Sequence, residues 1–161
     1  MHLVFSYGTL KRGQPNHHHM AAGIESGDCE LVGFGVTLTR YPLIVDQLFN
    51  IPFLLDVTDN LNAMNVEGEV YSVNDVMLER LDRIERHPVF YTRREIPVRI
   101  NGNTEQLAWC YLMHNFRKDF LQLPAVRKYD SKDYPAFLAG SQRPPAEEEM
   151  QKFISYVKGT D

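Results

Sequence analysis

Residues Val66–Pro88 read VEGEVYSVNDVMLERLDRIERHP, and a change of period inside this stretch decides the fold. Up to Val73 the pattern alternates, with Val66, Gly68, Val70 and Ser72 on one face and Glu67, Glu69, Tyr71 and Val73 on the other, as a strand requires. From Asn74 the period becomes helical. Asn74 can cap the helix, Asp75 suits its first turn, and Pro88 limits its far end near Arg86. At about 100° per residue from Met77, Leu78, Leu81 and Ile84 form one apolar stripe between about −20° and 100°. Glu79, Arg80, Arg83 and Arg86 fall outside it, and Asp82 lies just past its edge at about 140°. Glu85 falls at about 80°, inside the stripe, so one carboxylate is aimed where its charged neighbours are not.

Working outward, the stretch is flanked by strands. HLVFSY (His2–Tyr7) is a short apolar run stopped by Gly8, and LVGFGVTLT (Leu31–Thr39) is a second strand whose Gly33 and Gly35 mark a bend or a close backbone approach. YPLIV (Tyr41–Val45) and IPFLL (Ile51–Leu55) each carry a proline, which suits edges, bends or pocket walls. YTRREIPVRI, the turn NGN at Asn101–Asn103, and TEQLAWCYLM read as a β-hairpin, because Asn-Gly supplies positive φ angles. After Met113 the pattern weakens. GSQRPPAEEE (Gly140–Glu149) reads as an exposed linker, followed by a helix with Met150, Phe153, Ile154 and Val157 on one face. These elements predict a single α+β domain over 1–161, built on an antiparallel or mixed sheet with one central and one C-terminal helix.

The chain has 161 residues, a length expected of one domain, and a net charge of −4, which argues against nucleic acid as the main partner. No run approaches the roughly 18 apolar residues of a membrane span, and the first residues lack the apolar core of a signal peptide. The two cysteines, Cys29 and Cys110, form no C-x-x-C pair and are expected to be reduced, buried thiols in a cytoplasmic protein.

FSYGTLKRGQPN (Phe5–Asn16) has the look of an anion-binding loop. Gln14 and Pro15 stand where a phosphate loop needs Lys and Ser or Thr, and no G-x-G-x-x-G opens a helix, so nucleotides are excluded. The backbone N–H groups of Tyr7-Gly8-Thr9-Leu10 could instead hold a carboxylate or an oxyanion; the plainer reading is a glycine turn after a strand. Burial and the negative end of the helix should both raise the pKa of Glu85 toward the range useful to a general acid–base, unless it pairs with Arg93 or Arg94. Tyr91-Thr92-Arg93-Arg94 offers a phenol and two cations beside that helix, the arginines reading more simply as solvated strand residues. His17–His19 cannot all face one ion in an extended chain and read as a solvated loop, so no metal or other cofactor is expected. Serine-hydrolase chemistry lacks its G-x-S-x-G elbow.

Taken in order, VFSYGTLKRGQPNH, YPLIV, NIPFLL, VEGEVYSV and LERLDRIE…YTR strongly resemble the gamma-glutamylamine cyclotransferases, members of the wider gamma-glutamyl cyclotransferase-like superfamily. The likeness runs from Leu3 to about Arg94 and does not extend beyond Tyr134. It implies a small barrel-like fold with the substrate beside the first loop, Tyr7, Gly8, Thr9 and Leu10 binding the gamma-glutamyl part, and Glu85 as acid–base. Tyr91 is a further candidate for the pocket. The implied reaction turns L-gamma-glutamyl-epsilon-L-lysine into free lysine and 5-oxoproline, the last step in clearing transglutaminase crosslinks.

That chemistry suits the residues. The substrate's own α-amine attacks its γ-carbonyl, so no enzyme nucleophile, water or metal is required, and the effective molarity of such an attack can reach about 10⁵ M or more. Glu85 would take a proton from the α-ammonium and return it to the leaving amine. Gamma-glutamyl amino acids or glutathione are rival substrates, and a non-catalytic metabolite-binding domain is the rival of another class. A small-molecule gamma-glutamyl amine is the expected partner, with no nucleic acid and no membrane, and the protein is expected to be a monomer. The last helix is expected to cap the barrel rather than meet a partner.

Overall fold

Asn101 and Gly102 both sit at positive φ, 52° and 78°, and the Asn103 N–H donates to the Ile100 carbonyl at 3.2 Å. This is the tight turn whose twist matches that of the strands it joins. It connects β6 (Tyr91–Ile100) to β7 (Thr104–Met113), paired from Tyr91↔Met113 to Ile100↔Thr104. The structure, a computed structural model, describes residues 1–134 and 147–160. Three more strands, β1 (His2–Ser6), β2 (Cys29–Thr37) and β5 (Glu67–Val73), complete a closed barrel in the order β1-β5-β2-β6-β7. All pairs are antiparallel except the closing one, where Val4 of β1 meets Trp109 of β7 in parallel.

The barrel is narrow, and its glycines show why. A Cβ on Gly35 would come within 2.8 Å of Val70 and 3.0 Å of Val98, so the interior has no room for one. At Gly33 the pairing of β2 with β5 shifts register, and the vacated space takes the Asn101 side chain, whose Oδ1 accepts the Phe34 N–H at 3.1 Å. Phe5, Val70, Ile96, Val98, Ala108, Cys110 and Leu112 fill the interior. Strand β5 is buried on both faces toward its end: Val70 points inward, while Tyr71 and Val73 join a second core with Met20, Met77, Leu78 and Leu81. Alternation alone left that outer face undecided.

The outer core lies under two helices. Helix α2 (Asp75–Ile84) is capped by Asn74, whose side chain accepts the Met77 N–H at 2.9 Å. It ends two residues earlier than expected, because Glu85 is its C-cap and Arg86 adopts φ +52°. The buried stripe is Met77, Leu78 and Leu81, with Ile84 partly covered. Helix α1 (His18–Ser26) corrects the sequence reading, which took the histidine run for a solvated loop and counted no helix there. It closes on Gly27 at φ +83°, and it lies so near α2 that a Cβ on Gly23 would stand 2.7 Å from Met77 Sδ.

The two proline-bearing pieces form a separate ribbon, β3 (Leu43–Val45) and β4 (Pro52–Leu54), outside the barrel sheet. After β7 come two short 3₁₀ turns, Lys118–Gln122 and Ser131–Asp133. The final helix, α3 (Glu147–Lys158), packs Phe153, Ile154, Tyr156 and Val157 onto the outer core rather than onto the barrel interior. Its first turn takes in Glu147–Glu149, so the expected linker is shorter at its end, and the rest of it, 140–146, lies outside the described residues.

Candidate active site

Strand β1 stops at Ser6, and the next residue turns its ring inward: the Tyr7 hydroxyl donates to the Tyr111 carbonyl at 2.7 Å. Gly8–Lys11 then makes a turn, with the Lys11 N–H donating to the Gly8 carbonyl at 3.2 Å. The outer side of this loop is fixed at several points. Asn16 donates from its backbone to the Thr9 carbonyl and from its side chain to Thr9 Oγ1, at 2.9 and 3.0 Å. The His17 ring lies within hydrogen-bond distance of the Leu10 carbonyl, and the Lys11 ammonium donates to the Tyr129 carbonyl at 2.6 Å. The carbonyls are thus engaged, whereas the N–H groups of Gly8, Thr9 and Leu10 have no acceptor among the described residues. Gly8 and Leu10 are themselves buried. Buried donors normally have partners, so such a row is a place for an anionic or carbonyl oxygen from a ligand.

Across the pocket stands Glu85. Its position at the end of α2 holds it by its backbone N–H, which donates to the Leu81 carbonyl at 2.9 Å. Its carboxylate has no hydrogen bond or ion pair among the described residues. The pairing with Arg93 or Arg94 that the sequence left open does not occur. Arg93 is taken by Asp82 through two bonds of 2.8 and 3.1 Å, and Arg94 by Asp56 at 2.6 Å. Desolvation therefore acts on Glu85 without relief and raises its pKa from 4.5 to about 7. Burial is the cause of this shift, and Glu85 sits as the C-cap of α2, at the helix end where the sequence placed it. Its neighbours Tyr7, Tyr91 and Tyr111 are phenols held above their ordinary pKa by burial, and add no positive charge.

Tyr91 begins β6 with its ring against Phe90 and Phe53, at centroid distances of 4.9 and 5.9 Å, and its hydroxyl has no hydrogen bond among the described residues. Tyr7, Gly8, Thr9, Leu10, Glu85 and Tyr91 all line one pocket. The structure thus brings together every residue singled out from the sequence for this site. The same pocket has walls at Ile51 and Pro52, in a proline-bearing piece that the sequence suited to edges, bends or pocket walls, and at Tyr111, which was not singled out. Pro52 lies against the loop, its Cγ 3.0 Å from where a Gly8 Cβ would be. The proline in IPFLL was the available signal. Tyr111 gave none, being one aromatic in an alternating strand; its hydroxyl donates to Asp82 at 2.7 Å.

The remaining candidates lie elsewhere. Cys29 and Cys110 are free and buried, and burial pushes the Cys29 thiol up to about 11. No three His, Cys, Asp or Glu side chains among the described residues are grouped as a metal would require. No helix among them is long and apolar enough to cross a membrane.

Comparison with known proteins decides the family. The profile described as "Gamma-glutamyl cyclotransferase, AIG2-like" matches residues 4–136. The chain belongs to this family. A gamma-glutamylaminecyclotransferase of Homo sapiens is 39% identical over 142 residues, covering 81% of this chain and 91% of the relative. A putative gamma-glutamylcyclotransferase of Drosophila melanogaster is 43% identical over 126 residues, 78% of each chain. The crystal structure of an AIG2-like protein from Mus musculus superposes with a TM-score of 0.76 at 32% identity, covering 91% of this chain and 97% of that one. As a gamma-glutamyl cyclotransferase family member, the protein is a cyclotransferase, and the matched segment contains every residue of the pocket but ends before α3.

Proposed function

We propose that this cyclotransferase converts L-gamma-glutamyl-epsilon-L-lysine into free lysine and 5-oxoproline, with Glu85 as general acid–base. The observation that carries the reading is an unpaired carboxylate, held near neutrality by burial, facing a row of unused N–H donors in one pocket. In this reaction the α-nitrogen bonds to the γ-carbon and the bond from that carbon to the ε-nitrogen breaks. The α-ammonium loses two protons in becoming the ring N–H, and the leaving amide nitrogen gains two in becoming an ammonium. Glu85, whose pKa burial raises to about 7, is suited to both the taking and the giving. The N–H groups of Gly8, Thr9 and Leu10 would hold the substrate's α-carboxylate or the oxyanion of the tetrahedral intermediate. Tyr7 would fix the loop through its bond to β7, and Tyr91 would offer its free hydroxyl to the substrate.

No step calls for a metal or a bound cofactor, and the role we assign is the breakdown of transglutaminase-crosslinked proteins by a cytoplasmic monomer. The test is mass-spectrometric detection of 5-oxoproline from a panel containing gamma-glutamyl-epsilon-lysine, gamma-glutamyl amino acids and glutathione. Release from the lysine isopeptide above all others is expected. Preference for glutathione or for α-linked gamma-glutamyl amino acids would overturn the substrate, and release from none would overturn the reading.

A further inference from the structure

Asp46 is a wholly buried carboxylate, 0% exposed, that the proposed reaction does not use. It sits at the start of the loop between β3 and β4, whose far end supplies Ile51 and Pro52 to the pocket. Its backbone organises that loop: the Asp46 N–H donates to the Ile51 carbonyl at 2.9 Å, and the Asp46 carbonyl accepts the Asn50 N–H at 2.8 Å. Its side chain makes two bonds. Oδ2 accepts the Phe49 N–H at 2.6 Å, and Oδ1 accepts the hydroxyl of Tyr156, from α3, at 2.6 Å. A buried carboxylate is costly unless hydrogen-bonded, so the loop is stable in this shape only while both donors are in place. One of them belongs to the C-terminal helix.

Helix α3 also grips the opposite wall. Its Phe153 ring touches Phe49 of the loop at a centroid distance of 4.8 Å and Phe90 at 5.4 Å. Phe90 immediately precedes Tyr91. Lys158 donates to the carbonyls of Phe90 and His114 at 2.7 and 2.6 Å. At the other end of the helix Glu147 pairs with Arg86, next to Glu85, at 3.6 Å. Each of the pocket residues Ile51, Glu85 and Tyr91 thus lies beside a segment that α3 holds, although α3 itself does not line the pocket.

We infer that α3 is a brace that sets the separation of the two pocket walls, and that Tyr156 is a positioning residue whose bond to Asp46 seats the Ile51–Pro52 wall against the substrate. The inference rests on the pocket being the reaction site. Ile51 and Pro52 are non-reacting surface, so they contribute to substrate and transition state alike, and loosening them acts on KM rather than kcat.

The test is Tyr156→Phe, which removes one hydroxyl while keeping the ring against Phe49 and beneath Arg117. Expected are a KM for gamma-glutamyl-epsilon-lysine raised roughly tenfold, as befits a lost bond to a charged group, and kcat held within about twofold. The midpoint of the pH–rate profile should not move, because the Glu85 wall keeps its own contacts. Amide hydrogen exchange over 46–52 should accelerate while that of β5 stays as in the wild type. An unchanged KM, a kcat loss with constant KM, or acceleration spread evenly over the barrel would each overturn the brace. If the wild type releases no 5-oxoproline, it is the proposed reaction that fails, and the exchange pattern alone then decides for or against the brace. Should Tyr156→Phe not fold, Asp46→Ala, which removes the acceptors of both Phe49 and Tyr156, is expected to give the same KM rise and local exchange, and their absence overturns the inference.

Discussion

Replacing Glu85 by Gln should make the protein inactive and, at alkaline pH, more stable. The side chains are close to isosteric, and the substitution breaks no hydrogen bond or ion pair among the described residues. On activity the loss is that of a general acid–base, about 10²–10⁴-fold in turnover, with substrate affinity retained. On stability the sign follows from the raised pKa of the folded state, about 7 against the usual 4.5. Between those values the folded protein keeps the proton while the unfolded chain has lost it, so wild-type stability falls as pH rises through this window. The gap between 4.5 and 7 corresponds to about 3 kcal/mol, an upper figure because Glu85 retains some contact with water in its pocket. Gln titrates nowhere in this range. Urea unfolding of both proteins should therefore give matching stabilities near pH 4 and a gap that opens to as much as about 3 kcal/mol by pH 8. A gap independent of pH would show that burial does not hold the carboxyl protonated, and a Gln variant with near-normal kcat would refute its part in the reaction.

Gly68→Ala should destabilise the barrel by about 1–3 kcal/mol in chemical denaturation, because the new Cβ would collide with the Ser6 carbonyl and stand 2.8 Å from the Phe5 ring. An aromatic disulfide reagent should label neither Cys29 nor Cys110 in the native protein at pH 8 and both after unfolding, since both thiols are buried and burial raises their pKa. Rapid native labelling would contradict the packing of α1 or of the barrel interior. Excess chelator should leave 5-oxoproline release unchanged, because ring closure uses the substrate's own nucleophile. Loss of activity restored by zinc would return His17–His19 to consideration.

The elements that declared themselves in the sequence are those whose local chemistry and burial agree. Asn74 and the stripe Met77-Leu78-Leu81 announced α2, and Asn101-Gly102 announced the hairpin. The inward Glu85 was legible because a single carboxylate broke an otherwise clean pattern. Helix α1 was hidden by composition. Two histidines open it after a third at its N-cap, a glycine lies in its middle, and its buried residues are Met20 and Gly23 alone, so its face gives little periodic signal. Gly27 after Ser26 was the one available sign of a helix end. The wall at Tyr111 was illegible for another reason: its place in the site is set by barrel closure, which no local pattern encodes. The reach of Tyr156 to Asp46 across 110 positions is of the same kind.

The parallel junction of β1 with β7 carries a consequence for how the protein is made. Every other barrel pair is antiparallel, and β6 with β7 needs only a tight turn, but the seam joins the first strand to the last, with Tyr7 bonded to Tyr111 across 104 positions. Contacts of that separation form late, after the entropy of a long loop has been spent. A chain emerging from the ribosome can pair β1 with β5 and build α2 before β7 is there to accept the Tyr7 hydroxyl. The Tyr111 wall of the pocket joins the donor row only when the seam shuts, so the onset of turnover during refolding should coincide with barrel closure rather than with the appearance of helix or hairpin.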